Sequence, residues 1–212
     1  MVILYDESII DSMKDKLKEY IKKRDFGKTG EPRGGERKAS EKPIFVIQKH
    51  KASNLHYDLR IEVDGVLKSW AVPKGPSTDP KERRLAMPTE DHPLEYADFE
   101  GVIPEGEYGA GAVMVWDTGT YRNLRAEKES DKISMQEALD DGKVEIWLEG
   151  EKLKGGYVLI RTGKGDDKRW LFIKMKDDEA DRRRNPVNTE PDSVLSGRSL
   201  EDIEKDKDKK AE

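Results

Sequence analysis

The sequence contains no cysteine and only three histidines. Without cysteine there is no disulfide, no thiol nucleophile and no thiolate ligand, so nitrogen and oxygen atoms must hold any bound metal. No apolar run reaches the roughly 18 residues of a membrane span. The apolar residues 1–4 meet Asp6 and Glu7 too early for a signal peptide. The sequence therefore predicts a soluble, cytoplasmic protein with no membrane partner.

Apolar residues are also scarce. They make up 34% of the 212 residues, whereas charged residues make up 40%; an average globular domain has roughly 45–50% and 25%. A chain of this length fits one domain, and the shortage of apolar side chains predicts that part of it lies outside the core. Because the net charge is −5, any surface that attracts nucleic acid must be local.

The chain divides into four predicted regions. Apolar residues at helical spacing predict an amphipathic helix within 1–24, and the glycine-rich stretch 25–42 predicts a loop that covers an active site. Residues 43–176 carry short alternating stretches with Gly-rich turns, a pattern typical of a mainly β fold. We expect an antiparallel β-barrel-like domain there. The polar residues 177–212 predict a largely disordered tail.

Local signals define several elements of the β region. Asp64-Gly65 predicts a tight hairpin between strands at 55–63 and 66–72. Ser134, with Glu137 three residues later, begins one short internal helix that ends before Gly142. Further strands are expected at 84–87, 111–117, 143–149, 156–161 and 169–174.

Aromatic and glycine residues give no independent sign of a nucleotide site. The four tryptophans fall within predicted strands, so we interpret them as core residues rather than as base-stacking platforms. Residues 106–111 resemble a nucleotide loop, but β-type residues follow them where a nucleotide loop needs a helix. They are predicted to form a hairpin turn.

Two of the three histidines flank one predicted turn. If Leu55 and Tyr57 point inward, strand alternation turns His56 and Asp58 to the opposite face. His50, at the end of the preceding strand, then returns beside His56. Two imidazoles and a carboxylate with open positions suit Mn²⁺, Zn²⁺ or Fe²⁺. We predict a divalent-metal site at His50, His56 and Asp58.

Cationic residues accompany this hairpin. The residues that follow it include Lys68, Lys74, Arg83 and Arg84. With Arg60 they can surround an anion with positive charge, as phosphoryl chemistry requires. The third histidine, His92, precedes Pro93, which favours an extended backbone. Taken alone, His92 is interpreted as a surface-loop residue.

Longer motifs resemble one family. Several motifs are similar in type and order to those of the 3′-phosphoesterase domain of bacterial DNA ligase D and its archaeal relatives. They are Lys23-Arg24-Asp25-Phe26 with Thr29 and Glu31-Pro32, followed by residues 48–60, 69–76 and 90–101. The similarity covers about residues 15–176. It implies a barrel-like β fold and an enzyme that removes 3′-terminal ribonucleosides and 3′-phosphates, leaving 3′-OH ends for repair by end joining. Mn²⁺ is the implied metal, with Zn²⁺ or another divalent metal as alternatives.

The resemblance also implies residue roles. His50, His56 and Asp58 match the family's metal ligands. Eight further residues match the family's catalytic and phosphate-binding positions: Arg60, Lys74, Arg84, His92 and Tyr96, together with Arg24, Asp25 and Glu31 of the N-terminal segment. Supporting positions match Gln48, Ser69 and Glu90.

Two other classes stay open on the residues alone. A non-haem Fe²⁺ oxygenase also uses two histidines and a carboxylate, and a non-catalytic module that binds DNA ends could use the metal structurally. The resemblance favours DNA or RNA–DNA 3′ ends on a primer–template as the partner. Since 212 residues leave no room for ligase and polymerase domains, it predicts a stand-alone enzyme that passes its ends to a separate ligase or polymerase.

Overall fold

Strands dominate the computed structural model, which describes residues 15–35, 41–128, 130, 132–163, 165 and 168–206. The strands of these residues are β1 (Ile44–Lys51), β2 (Leu55–Val63), β3 (Val66–Val72), β4 (Arg84–Pro88), β5 (Gly101–Ile103), β6 (Gly111–Asn123), β7 (Lys143–Gly150), β8 (Lys154–Arg161) and β9 (Trp170–Lys174). The helices of the same residues are α1 (Lys18–Lys22), a 3₁₀ helix (Leu94–Asp98), α2 (Met135–Asp141), α3 (Pro186–Thr189) and α4 (Leu200–Glu204).

The sheet closes on itself. Its strand order is β1-β2-β3-β4-β9-β8-β7-β6, and β6 also pairs with β1, so these strands form a ring. The short β5 pairs with β6 outside the ring. Every pairing is antiparallel. The prediction of a mainly β, barrel-like fold is confirmed.

Alternate residues of the strands fill the interior of the barrel. On β1 and β2, the inward-facing side chains come from every second residue, and each is at most 2% exposed: Phe45, Ile47, Tyr57, Leu59 and Ile61. Burying each such side chain contributes roughly 1.5–3 kcal/mol. Because successive side chains of a strand point to opposite faces, the residues between these on β2 face outward, and most of them are polar.

A second apolar cluster covers part of the outer face. Tyr20 of α1, with Leu94 and Tyr96 of the 3₁₀ helix, packs against Val46 of β1 and Leu67 of β3. This layer holds the N-terminal segment and the 3₁₀ helix over β1 and β3. The polar outer face of β2 consequently lies beneath a protein cover rather than in open water.

Several predicted elements are confirmed. The helix α2 begins after a complete capping box of Ser134 and Glu137, and it ends at Gly142 in the left-handed conformation. Asp64 and Gly65, with φ of 48° and 81°, join β2 to β3. The predicted N-terminal helix is seen only as α1, since residues 1–14 lie outside the described residues. The 3₁₀ helix and β5 have no counterpart in the predictions.

No described helix has the length and apolar character needed to span a membrane.

The prediction of a largely disordered tail is wrong for 177–206. Leu200 and Ile203 of α4 are buried in the interior core, at 2% and 0% exposure. The Trp116 indole donates to the backbone oxygen of Glu190 at 2.8 Å, and Lys152 donates to the same oxygen at 2.8 Å. Composition misled because a few apolar residues of this segment, Val187, Leu200 and Ile203, are enough to pack it against the interior core. Residues 207–212 lie outside the described residues.

Candidate active site

The predicted metal ligands meet on one hairpin. His50 and His56 are direct cross-strand partners on β1 and β2. Asp58 lies two residues beyond His56 on the same face. Its carboxylate oxygens are 3.6 Å from His50 Nδ1 and 3.6 Å from His56 Nε2, and one ligand atom from each residue lies within 4.8 Å of the other two. Strand alternation brings the three side chains together.

Backbone contacts fix which nitrogen each histidine offers. His50 Nε2 lies 2.8 Å from the Gly109 carbonyl oxygen, and His56 Nδ1 lies 2.9 Å from that of Asn54. Because a carbonyl only accepts, these nitrogens donate to it, and His50 Nδ1 and His56 Nε2 are the ring atoms that face Asp58. Metal-binding histidines are oriented in this way in proteins. The set fits a divalent cation.

Asp58 is ionised in spite of its burial. Burial alone would raise its pKa, but the Arg60 guanidinium and the two histidines outweigh it and lower the pKa below its usual value. Arg60 Nη2 donates to Asp58 Oδ2 at 3.0 Å. The carboxylate is therefore available as an anionic ligand at neutral pH.

The metal ligands line a cleft of about 250 Å³ on the outer face of the barrel, together with Arg24, Arg60, Glu90 and His92. A larger groove of about 450 Å³ lies between residues 79–81 and 176–183. Charged side chains of both signs line it, without the metal-ligand set. The chemistry therefore places the candidate site in the smaller cleft.

Arg60 is held rigidly beside the metal ligands. Its Nε donates to Gln48 Oε1 at 2.7 Å, and its Nη1 donates to Ser69 Oγ at 2.9 Å. The guanidinium also lies 4.8 Å from the centroid of the Tyr96 ring. Gln48 is fixed in turn, since its amide donates to two backbone carbonyl groups in and just after the 3₁₀ helix. The supporting positions predicted at Gln48 and Ser69 thus contact Arg60.

Arg24 enters the cleft from the N-terminal segment. Its Nε donates to Glu31 at 2.8 Å, its Nη1 donates to Glu90 at 3.0 Å, and its guanidinium lies 3.8 Å from the centroid of the Tyr20 ring. The Tyr96 hydroxyl donates to the same Glu31 oxygen at 2.9 Å. Two buried carboxylates therefore balance Arg24 and tie the N-terminal segment to the barrel.

His92 lies between the two guanidinium groups. Burial, Arg60 and Arg24 all act to lower its pKa well below that of an exposed histidine. The imidazole is therefore neutral at neutral pH. Its Nδ1 lies 2.8 Å from the Glu90 carbonyl oxygen and its Nε2 lies 3.2 Å from Arg24 Nη2. Nδ1 also lies 2.9 Å from Arg60 Nη1, so the imidazole contacts both guanidinium groups.

The interpretation of His92 as a surface-loop residue is wrong, because its side chain is 3% exposed. His92 forms an isolated antiparallel bridge with Leu67 of β3, in which the two backbones exchange hydrogen bonds of 2.8 and 3.0 Å. That bridge draws the loop onto the sheet. A single bridge leaves no periodic pattern in the sequence.

Six of the predicted site residues do not line the cleft. Of these, Glu31, Gln48 and Ser69 contact Arg24 or Arg60, which do line it. Asp25 is exposed, and its carboxylate accepts from the backbone of Gly27 and from Lys28. Lys74 is exposed on the loop after β3. Arg84 lies opposite Phe172 in the sheet and donates to Glu82. The roles that the resemblance implies for Asp25, Lys74 and Arg84 remain predictions.

The turn at 106–111 matters more than its sequence indicates. It joins β5 to β6, as the predicted hairpin turn requires, and it supplies the Gly109 oxygen that orients His50. Tyr108 of the same turn lines the cleft, and its hydroxyl lies 3.4 Å from Glu90 Oε2 and from Lys23 Nζ. The aromatic residue between glycines was the available signal for this contact.

The fold and the cleft define a closed antiparallel barrel with a candidate divalent-metal centre flanked by two guanidinium groups. The chain belongs to the family described as the DNA Ligase D 3′-phosphoesterase domain, whose model matches residues 48–161.

Curated relatives agree with this assignment. The chain is 49% identical over 189 residues, or 87% of its length, to the multifunctional non-homologous end joining protein LigD of Pseudomonas aeruginosa. It is 48% identical over 169 residues, 77% of the chain, to the protein of the same name from Mycolicibacterium smegmatis. It is 46% identical over 168 residues, 76% of the chain, to the multifunctional non-homologous end joining DNA repair protein LigD of Mycobacterium tuberculosis. The chain spans 22%, 21% and 20% of these relatives' lengths.

Proposed function

We propose that this protein is a metal-dependent 3′-end-healing phosphoesterase. It would remove 3′-phosphates and 3′-terminal ribonucleosides from nucleic-acid ends and leave 3′-OH groups. The observation that carries the proposal is that His50, His56 and Asp58 share one cleft with the guanidinium groups of Arg60 and Arg24, with Arg60 Nη2 at 3.0 Å from the Asp58 carboxylate. Membership of the phosphoesterase family supports it.

His50, His56 and Asp58 would hold the cation, with Mn²⁺ as the proposed metal and Zn²⁺ or another divalent metal as alternatives. When bound, the cation would neutralise charge on a phosphate oxygen and polarise the phosphorus. Arg60 would bind a second phosphate oxygen, and Arg24 would stabilise the charge that builds up as the ester bond breaks. Since both guanidinium groups are held before substrate arrives, little reorganisation is needed at the moment of reaction.

We propose that His92 and Tyr96 act mainly by holding this cationic pair. A neutral imidazole between two guanidinium groups is a poor proton donor in the free enzyme. A phosphate dianion in the cleft would favour the protonated form, so His92 could then stabilise the transition state. Glu31 and Glu90 would keep Arg24 aimed at the cleft, and Gln48 and Ser69 would do the same for Arg60.

We infer that the substrate is the 3′ end of DNA or of an RNA–DNA strand within a primer–template, and that healed ends pass to a DNA ligase or polymerase. The names of the relatives, which describe end joining, support this inference. The Fe²⁺ oxygenase alternative does not account for the phosphoesterase family match. The remaining alternative, binding to DNA ends without catalysis, is separated by experiment.

The test compares three labelled primers on one template: one with a 3′-phosphate, one with a 3′-terminal ribonucleoside and one with a 5′-phosphate only. With Mn²⁺, the wild type should convert the first two to 3′-OH ends and leave the third unchanged. Arg60→Ala should lose both reactions, and a separate DNA ligase should seal the 3′-phosphate break only after treatment. Salt-sensitive binding without conversion in any metal would instead identify a binding module.

A further inference from the structure

One aromatic ring borders the cleft without being buried. Tyr108 lines the cleft and is 47% exposed. Among the described residues, it is the one aromatic side chain in the set of large apolar side chains that stay exposed. Of the four tryptophans, Trp70, Trp116 and Trp170 lie in the interior core. They are therefore not available to a ligand. Tyr96 also lines the cleft but is only 2% exposed, so Tyr108 is the tyrosine whose ring a ligand in this cleft can contact.

The ring is held in place by the site itself. Its hydroxyl group lies 3.4 Å from both Glu90 Oε2 and Lys23 Nζ, and Lys23 Nζ lies 4.7 Å from the ring centroid. The next residue, Gly109, is bound through its carbonyl oxygen to His50. With a φ of 77° at Gly109, the turn has a conformation that glycine adopts without strain. A ring fixed in this way loses little conformational entropy on binding.

The position of the ring matches the shape of a nucleotide. The Tyr108 centroid lies 5.6 Å from the Arg24 guanidinium carbon, and we have assigned Arg24 to the phosphate. Within a nucleotide, the phosphate and the base are separated by a sugar of comparable length. A phosphate bound between the guanidinium groups therefore brings its own nucleoside to the edge of the cleft, where Tyr108 lies.

We propose that Tyr108 is the platform on which the nucleobase of the 3′-terminal nucleotide stacks. This inference rests on the proposed function and names the part of the substrate that is recognised beside the phosphate. Stacking on an aromatic ring accepts every base, because each base has a π face. The site should therefore prefer a base-bearing end over an abasic one, with little discrimination among the four bases.

The test crosses enzyme variants with two primers that differ only in the terminal base. One primer ends in a 3′-terminal ribonucleoside and the other ends in the same ribose without a base. Tyr108→Ala should raise KM for the base-bearing primer roughly 10- to 100-fold, as the loss of one base–aromatic stack commonly does. Its KM for the abasic primer should change far less. Tyr108→Phe, which keeps the ring, should stay close to the wild type.

Two further measurements make the result specific. Leu85→Ala removes another exposed apolar side chain, 40% exposed on β4, and should leave both KM values unchanged. A primer with 2-aminopurine at its 3′ end reports stacking without catalysis: its fluorescence should be quenched by the wild type and by Tyr108→Phe in the presence of chelator, and not by Tyr108→Ala.

The outcomes separate the two proposals. If Tyr108→Ala raises KM equally for both primers, the ring acts by supporting the turn and His50, and the stacking proposal is overturned. If Tyr108→Phe is as damaging as Tyr108→Ala, the hydroxyl group carries the effect and the proposal is again overturned. If the wild type cleaves neither primer, the proposed function fails, and the quenching result alone decides whether Tyr108 binds a base.

Discussion

His92 shows how the residues of this cleft depend on one another. The imidazole is neutral because it is buried and lies between Arg60 and Arg24, which make protonation unfavourable. Each guanidinium group is in turn balanced by a carboxylate: Asp58 for Arg60, and Glu31 for Arg24. Cationic charge can therefore be concentrated at the proposed phosphate site in the folded protein. A change in the charge of any of these residues should be felt by the others.

This arrangement predicts that His92 makes stability depend on pH. The pKa of His92 in the folded chain lies well below the 6.5 of an exposed histidine, so between the two values the unfolded chain binds a proton that the folded chain does not. Above the pKa of the unfolded chain, His92 is neutral in both states and does not affect the free energy of unfolding. As the pH falls below that value, protonation of the unfolded chain lowers the free energy of unfolding. The loss is at most about 1.4 kcal/mol per pH unit.

Urea unfolding between about pH 7 and about pH 5 measures the effect, with chelator present so that metal binding does not contribute. His92→Gln has no titrating group, and the other titrating groups cancel in the comparison. The unfolding free energy of the wild type should therefore fall more steeply with acid than that of His92→Gln. Equal slopes for the two proteins would show that His92 is not held neutral by the fold.

At the scale of elements, the β1–β2 hairpin was predictable and the loops around it were not. Period-two alternation and a short turn are enough to bring His50, His56 and Asp58 together. Tyr108 and His92 reach the same cleft through a turn and a single bridge, which leave no periodic signal. The positions of Asp25 and Arg84 were also misleading. The Asp25 carboxylate binds Gly27 and Lys28 of its own turn. Arg84 lies two residues from the core residue Ala86 on β4, so it is on the inner side of the strand and not on the side of the cleft.

The C-terminal segment, residues 177–206, predicts a second measurable effect. Leu200 of α4 is 2% exposed and belongs to the interior core. Leu200→Ala should lower the free energy of unfolding by roughly 2–5 kcal/mol, the usual range for a buried leucine. Chemical denaturation of both proteins provides the measurement.

Leu195→Ala is the matched control, because Leu195 belongs to the same segment and is 54% exposed. Surface substitutions usually change stability by no more than about 0.5 kcal/mol. If Leu200→Ala were equally mild, the C-terminal segment would not be part of the folded core, and the prediction of a disordered tail would regain its support.

For the whole molecule, the core and the candidate site lie on opposite faces of the barrel wall. The barrel interior is mainly apolar. The ring is closed by the pairing of β1 with β6, two strands far apart in the chain. The site lies on the opposite, outer face of β1, β2 and β3, beneath the N-terminal segment. Short strands and Gly-rich turns indicated the class of fold. Which strands would meet to close the ring was not predictable, since closure depends on long-range pairing rather than on local pattern.

The central claim is that His50, His56 and Asp58 bind the metal on which 3′-end hydrolysis depends. The direct test measures bound Mn²⁺ by equilibrium dialysis and phosphate release from a 3′-phosphorylated primer on the same samples. It compares wild type, His56→Ala and Ser53→Ala, an exposed control in the same hairpin. The wild type and Ser53→Ala should bind a single Mn²⁺ per chain and release phosphate until chelator is added, whereas His56→Ala should do neither. Undiminished Mn²⁺ binding and phosphate release by His56→Ala would contradict the account.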